Sequence, residues 1–259
     1  MRKLFVLSIL SALIGAVAPA EAAVNLVTNG DFEQTTLAGS NGFGDRYATN
    51  QVAGWSSNAY SFIFAPGEAD TVGAEGERGH LWLWGPDFPR GNGASDNGLP
   101  DTSPTGGNFV AIDGAYEQAP LTQMISGLDV GTNYTLSFYW AAAQQMGYNG
   151  TTEQSWTVSL GDQTYQTATI SNPSHAFSGW QQETVSFTAD SASALLSFLA
   201  QGTPAGAPPF TLLDGISLQK SAMATPGAVP EPATWGMMIV GFGAVGGALR
   251  RRSRKPASA

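Results

Sequence analysis

Asn133-Tyr134-Thr135-Leu136-Ser137-Phe138-Tyr139-Trp140 alternates without a break. Tyr134, Leu136, Phe138 and Trp140 fall on one face, and Thr135, Ser137 and Tyr139 on the other. A period of two with aromatic and β-branched residues marks a half-buried strand. The same pattern returns at Trp156, Val158 and Leu160, and again at Val185 and Phe187. Further strands are predicted over 25–27, 61–64, 81–84, 108–112, 121–125, 165–170, 194–199 and 210–218. Turn formers separate them: Gly106-Gly107, Gly127 to Gly131, Gly161-Asp162, Asn172-Pro173 and Gly202 to Pro209. Many short strands between such turns predict an all-β antiparallel sandwich. No long amphipathic helix interrupts them. Residues 39–49 and 86–105, rich in Gly, Asn, Asp and Pro, are expected to be exposed loops.

Composition narrows the chemistry. Between the two termini, from Ala23 to Ala228, lie 18 of the chain's 20 acidic residues and only four bases: Arg46, Arg78, Arg90 and Lys220. A surface with that balance repels phosphate backbones, so no nucleic-acid partner is expected. Acidic excess suits solubility and calcium outside the cell. The chain has no cysteine, which excludes thiol nucleophiles and Cys-zinc sites. It has two histidines, His80 and His175, too few for a multi-histidine metal site within one chain. About 200 residues between the termini are enough for one domain with its own core.

The termini carry addresses. Arg2 and Lys3 precede an apolar run from Leu4 to Val17 and an Ala20-Glu21-Ala22 site, so residues 1–22 are expected to be a cleaved secretory signal peptide. At the other end, Pro230-Glu231-Pro232 precedes Trp235 and an uncharged glycine-rich run to Leu249. Arg250, Arg251, Arg252, Arg254 and Lys255 follow. A membrane segment over about 233–249 is short for a bilayer that usually needs about 20 residues. Cytoplasmic arginines would leave the domain outside. Within this run Gly241 to Gly246 spells G-x-G-x-x-G. It lacks the preceding strand and following acid that a dinucleotide site needs, and a small-residue face for sorting is the preferred reading.

The ordered tail resembles the PEP-CTERM sorting signal of Gram-negative bacteria, in its tryptophan variant. Pro230, Glu231, Pro232, Trp235, Arg250, Arg251 and Arg252 carry the match. The resemblance implies processing by an exosortase, membrane association through the C-terminal helix before processing, and display near exopolysaccharide. The domain boundaries that follow are 23–220 for the sandwich, 221–229 for a linker and 230–259 for the signal.

A second resemblance rests on Asn25 to Glu33 with Gly54-Trp55, on 121–125 and 131–138, and on the closing Leu212-Leu213-Asp214-Gly215-Ile216-Ser217-Leu218. These are similar to galactose-binding-like jelly rolls, a fold that hosts many carbohydrate-binding modules. The resemblance implies an antiparallel jelly-roll β-sandwich and a possible structural calcium at Glu33 and Asp214. Such proteins often carry an acid where this chain has Gly215. Sugar rings stack on flat aromatics while amides and carboxylates take the hydroxyls. Trp82 and Trp84 are the first candidates, then Tyr60, Tyr139 and Tyr148, with Asp87, Asn92 and Gln144 as hydrogen-bonding groups. Even for Trp82 and Trp84, core packing is the preferred reading over ligand contact, and Trp55, Trp140, Trp156 and Trp180 are expected in the core. The sequence contains no nucleophile elbow, and 18 acids make any pairwise carboxylate spacing uninformative, so no catalytic residues are expected. The function expected is noncatalytic binding of exopolysaccharide or another carbohydrate. A matrix protein without a specific ligand is the alternative, and a glycan hydrolase the remote one.

Overall fold

The computed structural model describes residues 24–45, 51–71, 74–76, 79–87, 95–221, 236–243, 245 and 250, with backbone alone at 74–76 and 79–80. The chain divides into two units, Met1–Ser221 and Ala222–Ala259. The strands of the first are β1 (Asn41–Gly42), β2 (Ser61–Phe64), β3 (Ala74–Gly76), β4 (Gly79–Leu81), β5 (Phe109–Asp113), β6 (Leu121–Ser126) and β7 (Asn133–Gln144). They continue as β8 (Thr152–Leu160), β9 (Gln163–Gln166), β10 (Ile170–Asn172), β11 (Gln181–Thr188), β12 (Ser193–Thr203) and β13 (Pro209–Lys220).

Two sheets result. One runs β11-β7-β13-β5-β2-β1-β3-β4; the other runs β10-β8-β12-β6, with β9 also on β8. Pairing is antiparallel except for β1 with β3. Successive strands cross between the sheets, β5 to β6, β7 to β8, β11 to β12 and β12 to β13, which interleaves them. Each crossing strand must bury one face on the opposite sheet, and the alternation in the sequence supplies that face.

The inter-sheet core takes the expected side of β7: Tyr134, Leu136, Phe138 and Trp140. Opposite stand Trp156, Val158 and Leu160 of β8 and Leu196, Phe198 and Ala200 of β12. Phe198 sits edge-on to three rings, at 5.1 Å from Phe138, 6.0 Å from Trp156 and 6.2 Å from Trp55. Such contacts add about 0.5–1.5 kcal/mol each beyond burial. Trp55, Trp140 and Trp156 are thus core residues, as read from the sequence.

The N-terminal stretch makes a bridge where a strand was expected over 25–27. Asn25 bridges Gln219, and its Oδ1 accepts the backbone N–H of both Val27 and Leu218. Asn29 then ties the following loop, accepting from the Gln34 N–H and donating to the Gln34 and Ala53 carbonyls. At Gly30 a Cβ would lie 2.0 Å from the Ile216 carbonyl oxygen, so only glycine fits against β13.

A second apolar layer covers the outer face of the eight-stranded sheet. Phe62, Phe64, Phe109, Ala111, Ala141, Ala143, Phe210 and Leu212 point outward beneath Ala69, Leu81, Leu83 and Leu99 from the 65–108 connection. Phe177 and Trp180 pack against it. Two expectations change. The predicted strand 81–84 ends at Leu81, with Leu83 making a lone bridge to Gln145. The predicted strand 165–170 is split into β9 and β10, because the Thr167 N–H and Oγ1 both bond Trp156 on β8.

In the second unit, residues 236–243, 245 and 250 are helical. Among the described residues no helix is long and apolar enough to cross a membrane. The expected signal peptide, the 222–229 part of the linker, and Pro230, Glu231, Pro232, Trp235, Arg251 and Arg252 lie outside the described residues.

Candidate glycan site at the end of the outer face

The outer face of the large sheet is polar at both ends of its aromatic layer. At one end Asp113 closes β5, opposite Phe210 of β13. At the other end is Asp214, four residues further along β13. At about 3.3 Å per residue the two carboxylates stand roughly 13 Å apart along the strand.

Around Asp113 is a cavity of about 240 Å³, lined by Tyr60, Asp113, Tyr116, Gln145, Tyr148, Ala205 and Pro208. Four segments build it: the stretch before β2, the turn after β5, the turn after β7, and the loop before β13. Local hydrogen bonds fix them. Asp113 Oδ1 accepts the N–H of Ala115 at 2.8 Å and of Tyr116 at 3.1 Å, folding the turn over the strand end. The Asp113 N–H donates to the Tyr60 carbonyl, and the Gly114 and Gln145 N–H groups donate to the Pro209 and Pro208 carbonyls. Tyr60 stands edge-on to Tyr116 at 5.4 Å and to Phe62 at 4.7 Å, so the apolar layer props one wall. Tyr116 is 45% exposed and Tyr148 40%, whereas Asp113 is 1% exposed. Burial pushes the Asp113 carboxyl up to about 6, against the two N–H bonds that favour its charged form.

The sequence candidates are divided between the two ends. Tyr60 and Tyr148 meet at the cavity. Tyr139 belongs to the other end, in register with Asp214 on β13. Trp84 takes the packed position that was weighed against ligand contact: it is 7% exposed, its Nε1 donates to the Tyr148 carbonyl, and its ring stacks on His175 at 3.8 Å. It therefore supports the turn that carries Tyr148 and presents little ring face to a ligand. Trp82 is half-buried. Gln144 is likewise internal. It is fully buried, donating to the Gly150 and Ala207 carbonyls and accepting the His175 N–H. The next residue, Gln145, faces the cavity instead, because adjacent residues on a strand point to opposite faces. Asp87 is exposed, its N–H held by Asp70, and Asn92 lies outside the described residues. Asp113 and Tyr116 were missed. Their signal was an acid that ends an apolar run and itself opens an Asp-Gly turn, with a tyrosine two residues after the glycine.

At the far end Asp214 is completely buried. Its Oδ2 accepts hydrogen bonds from the hydroxyls of Ser103 and Thr105, while Oδ1 has no hydrogen-bond partner. Burial, countered by these hydroxyls and reinforced by the neighbouring Glu33 charge, raises the Asp214 carboxyl to about 7. Glu33 accepts the Asn108 N–H. Gly215 sits at the register shift of β13 with φ +61°, and a Cβ there would lie 2.7 Å from Thr105 Cγ2. No acidic side chain fits that position, which accounts for the glycine. The orphaned Oδ1 and the surrounding hydroxyls offer the oxygen ligands a hard cation takes. Among the described residues, however, no third Asp, Glu or His joins them.

Residues 228–253 match the PEP-CTERM protein-sorting motif, so this chain carries the sorting signal of an exported protein that an exosortase processes. The β-sandwich is similar to solved carbohydrate-binding structures. One, from work on CBM4 structure and function, is 16% identical and covers 75% of this chain and 99% of that one, with a TM-score of 0.33. TmCBM61 in complex with beta-1,4-galactotriose is 12% identical, covering 76% and 99%, at 0.37. The N-terminal cellulose-binding domain of Cellulomonas fimi beta-1,4-glucanase C is 21% identical, covering 45% and 79%, at 0.27. No curated protein sequence matches the chain.

Proposed function

We propose that this exported protein binds carbohydrate without catalysis, at the tyrosine-lined cavity, and that its glycan is the exopolysaccharide of the surface to which the tail directs it. The observation that carries the reading is the cavity itself. Exposed Tyr116 and Tyr148 line it together with the buried acceptor Asp113 and with Gln145. Ring faces take sugar C–H groups, and the carboxylate and amide take hydroxyls. Affinity electrophoresis through gels containing neutral or acidic polysaccharides tests it. The native protein is expected to be retarded by at least one, and Tyr116→Ala and Tyr148→Ala to run free. Equal retardation of all three would place the site elsewhere.

Asp214 and Glu33 are proposed as ligands of a structural calcium, which would supply charge compensation for the buried carboxylate. Ser103, Thr105, backbone carbonyls and water would complete an oxygen shell. Chelation followed by a melting scan decides this: an unchanged melting temperature would sink the calcium proposal.

A further inference from the structure

We infer that the cavity takes a single uncharged sugar ring, the end or a side branch of a glycan, and rejects uronic acids, with the Tyr60–Tyr116 corner limiting the occupant to one ring and Asp113 setting the preference for an uncharged one. This deepens the glycan-binding reading and rests on it.

Size and wall geometry limit the occupant to one ring. About 240 Å³ is below the roughly 300–1,000 Å³ of sites for drug-sized ligands. An extended chain is held on successive coplanar platforms, but here Tyr60 and Tyr116 meet at 83° and form a corner. A corner suits one chair, with one tyrosine against its face and the other at its edge. The loops of Ala205 and Pro208 close the remaining side.

The floor sets the charge. Asp113 is buried, and its Oδ1 is held by two backbone N–H groups, so the carboxylate cannot swing away from a ligand. It is a fixed acceptor for one or two sugar hydroxyls. The other titratable groups of the lining are the three tyrosines, and no basic side chain lines the cavity among the described residues. A uronate carboxylate entering here would meet a like charge with no cation to offset it. Such pairs at low dielectric cost about tenfold in affinity or more. Since the Asp113 carboxyl titrates near 6, it is charged at pH 7.5 and largely neutral at pH 5.0. Discrimination against uronates should therefore fall on acidification.

The test uses matched methyl glycosides: gluco, galacto and manno pyranosides, each against its uronic acid. Binding to the whole protein is followed by saturation-transfer NMR titration at pH 7.5 and 5.0, with Asp113→Asn and Tyr116→Ala. Asparagine can still accept the two backbone N–H bonds, which preserves the turn. At pH 7.5 the neutral sugar of at least one pair is expected to bind about tenfold tighter or more than its uronate. The gap should narrow at pH 5.0 and vanish in Asp113→Asn at both values, and Tyr116→Ala should abolish binding. Uronates binding as well as neutral sugars at pH 7.5, with Tyr116→Ala still abolishing both, would overturn the selectivity and leave the site standing. Binding insensitive to Tyr116→Ala, or no binding by any pair, would overturn the site reading and this inference with it.

Discussion

Replacing Asp214 by asparagine should stabilise the protein at alkaline pH and leave it unchanged in acid. The carboxyl is raised from 3.8 to about 7, chiefly by burial. A raised acid is favoured in its neutral form by the folded state, so its contribution is complete below pH 3.8 and is lost as pH rises through 7. A shift of roughly 3 units at about 1.4 kcal/mol per unit makes the loss about 4 kcal/mol. An amide at this position fills the same space, carries no charge and can donate to the Ser103 and Thr105 oxygens. Asp214→Asn should then gain up to about 4 kcal/mol over the native protein at pH 8.5. For a domain near 200 residues that is about 8–16 °C in melting temperature. The assay is thermal unfolding in chelator across pH 4 to 8.5. A variant less stable than the native protein at pH 8.5, or a difference constant across the range, would refute the account of Asp214 as a buried, uncompensated acid.

Other perturbations follow from single contacts. Gly215→Ala places a methyl against Thr105 in left-handed backbone and should cost about 1–3 kcal/mol in a denaturant titration. Trp84→Ala removes a buried ring and the Nε1 bond to the Tyr148 carbonyl. It should lower stability by about 3–5 kcal/mol, and hydrogen exchange should show the 145–151 turn loosened. Glu231→Ala in the matched sorting motif should leave the protein with its tail attached, seen as a heavier band in membrane fractions; normal processing would contradict that assignment.

The strands were legible because their burial is one-sided. β7 over 133–140, β8 and β12 alternate, and each alternation matches the inter-sheet core. Asn25 and Asn29 also announced the start of the domain, since both side chains are used to pin backbone. The second apolar layer was not legible. Once Ala141-Ala142-Ala143-Gln144 is buried on both faces, alternation disappears, and nothing local says what covers the outer side. That hidden layer decides the site. It props Tyr60 through Phe62, while Trp84 is buried against His175, Gln145 lines the cavity in place of Gln144, and Tyr139 lies beside Asp214. Asp113 and Tyr116 became functional candidates only when four segments, distant in sequence, converged.

The central claim is that glycan is bound at this cavity, and backbone amide NMR during a glycan titration tests it most directly. The account predicts the largest shifts at Gly114, Tyr116, Gln145 and Tyr148, with the β6–β12 face unmoved. Shifts centred on Met124 and Leu195 of that opposite sheet, or none across neutral and acidic glycans, would contradict it.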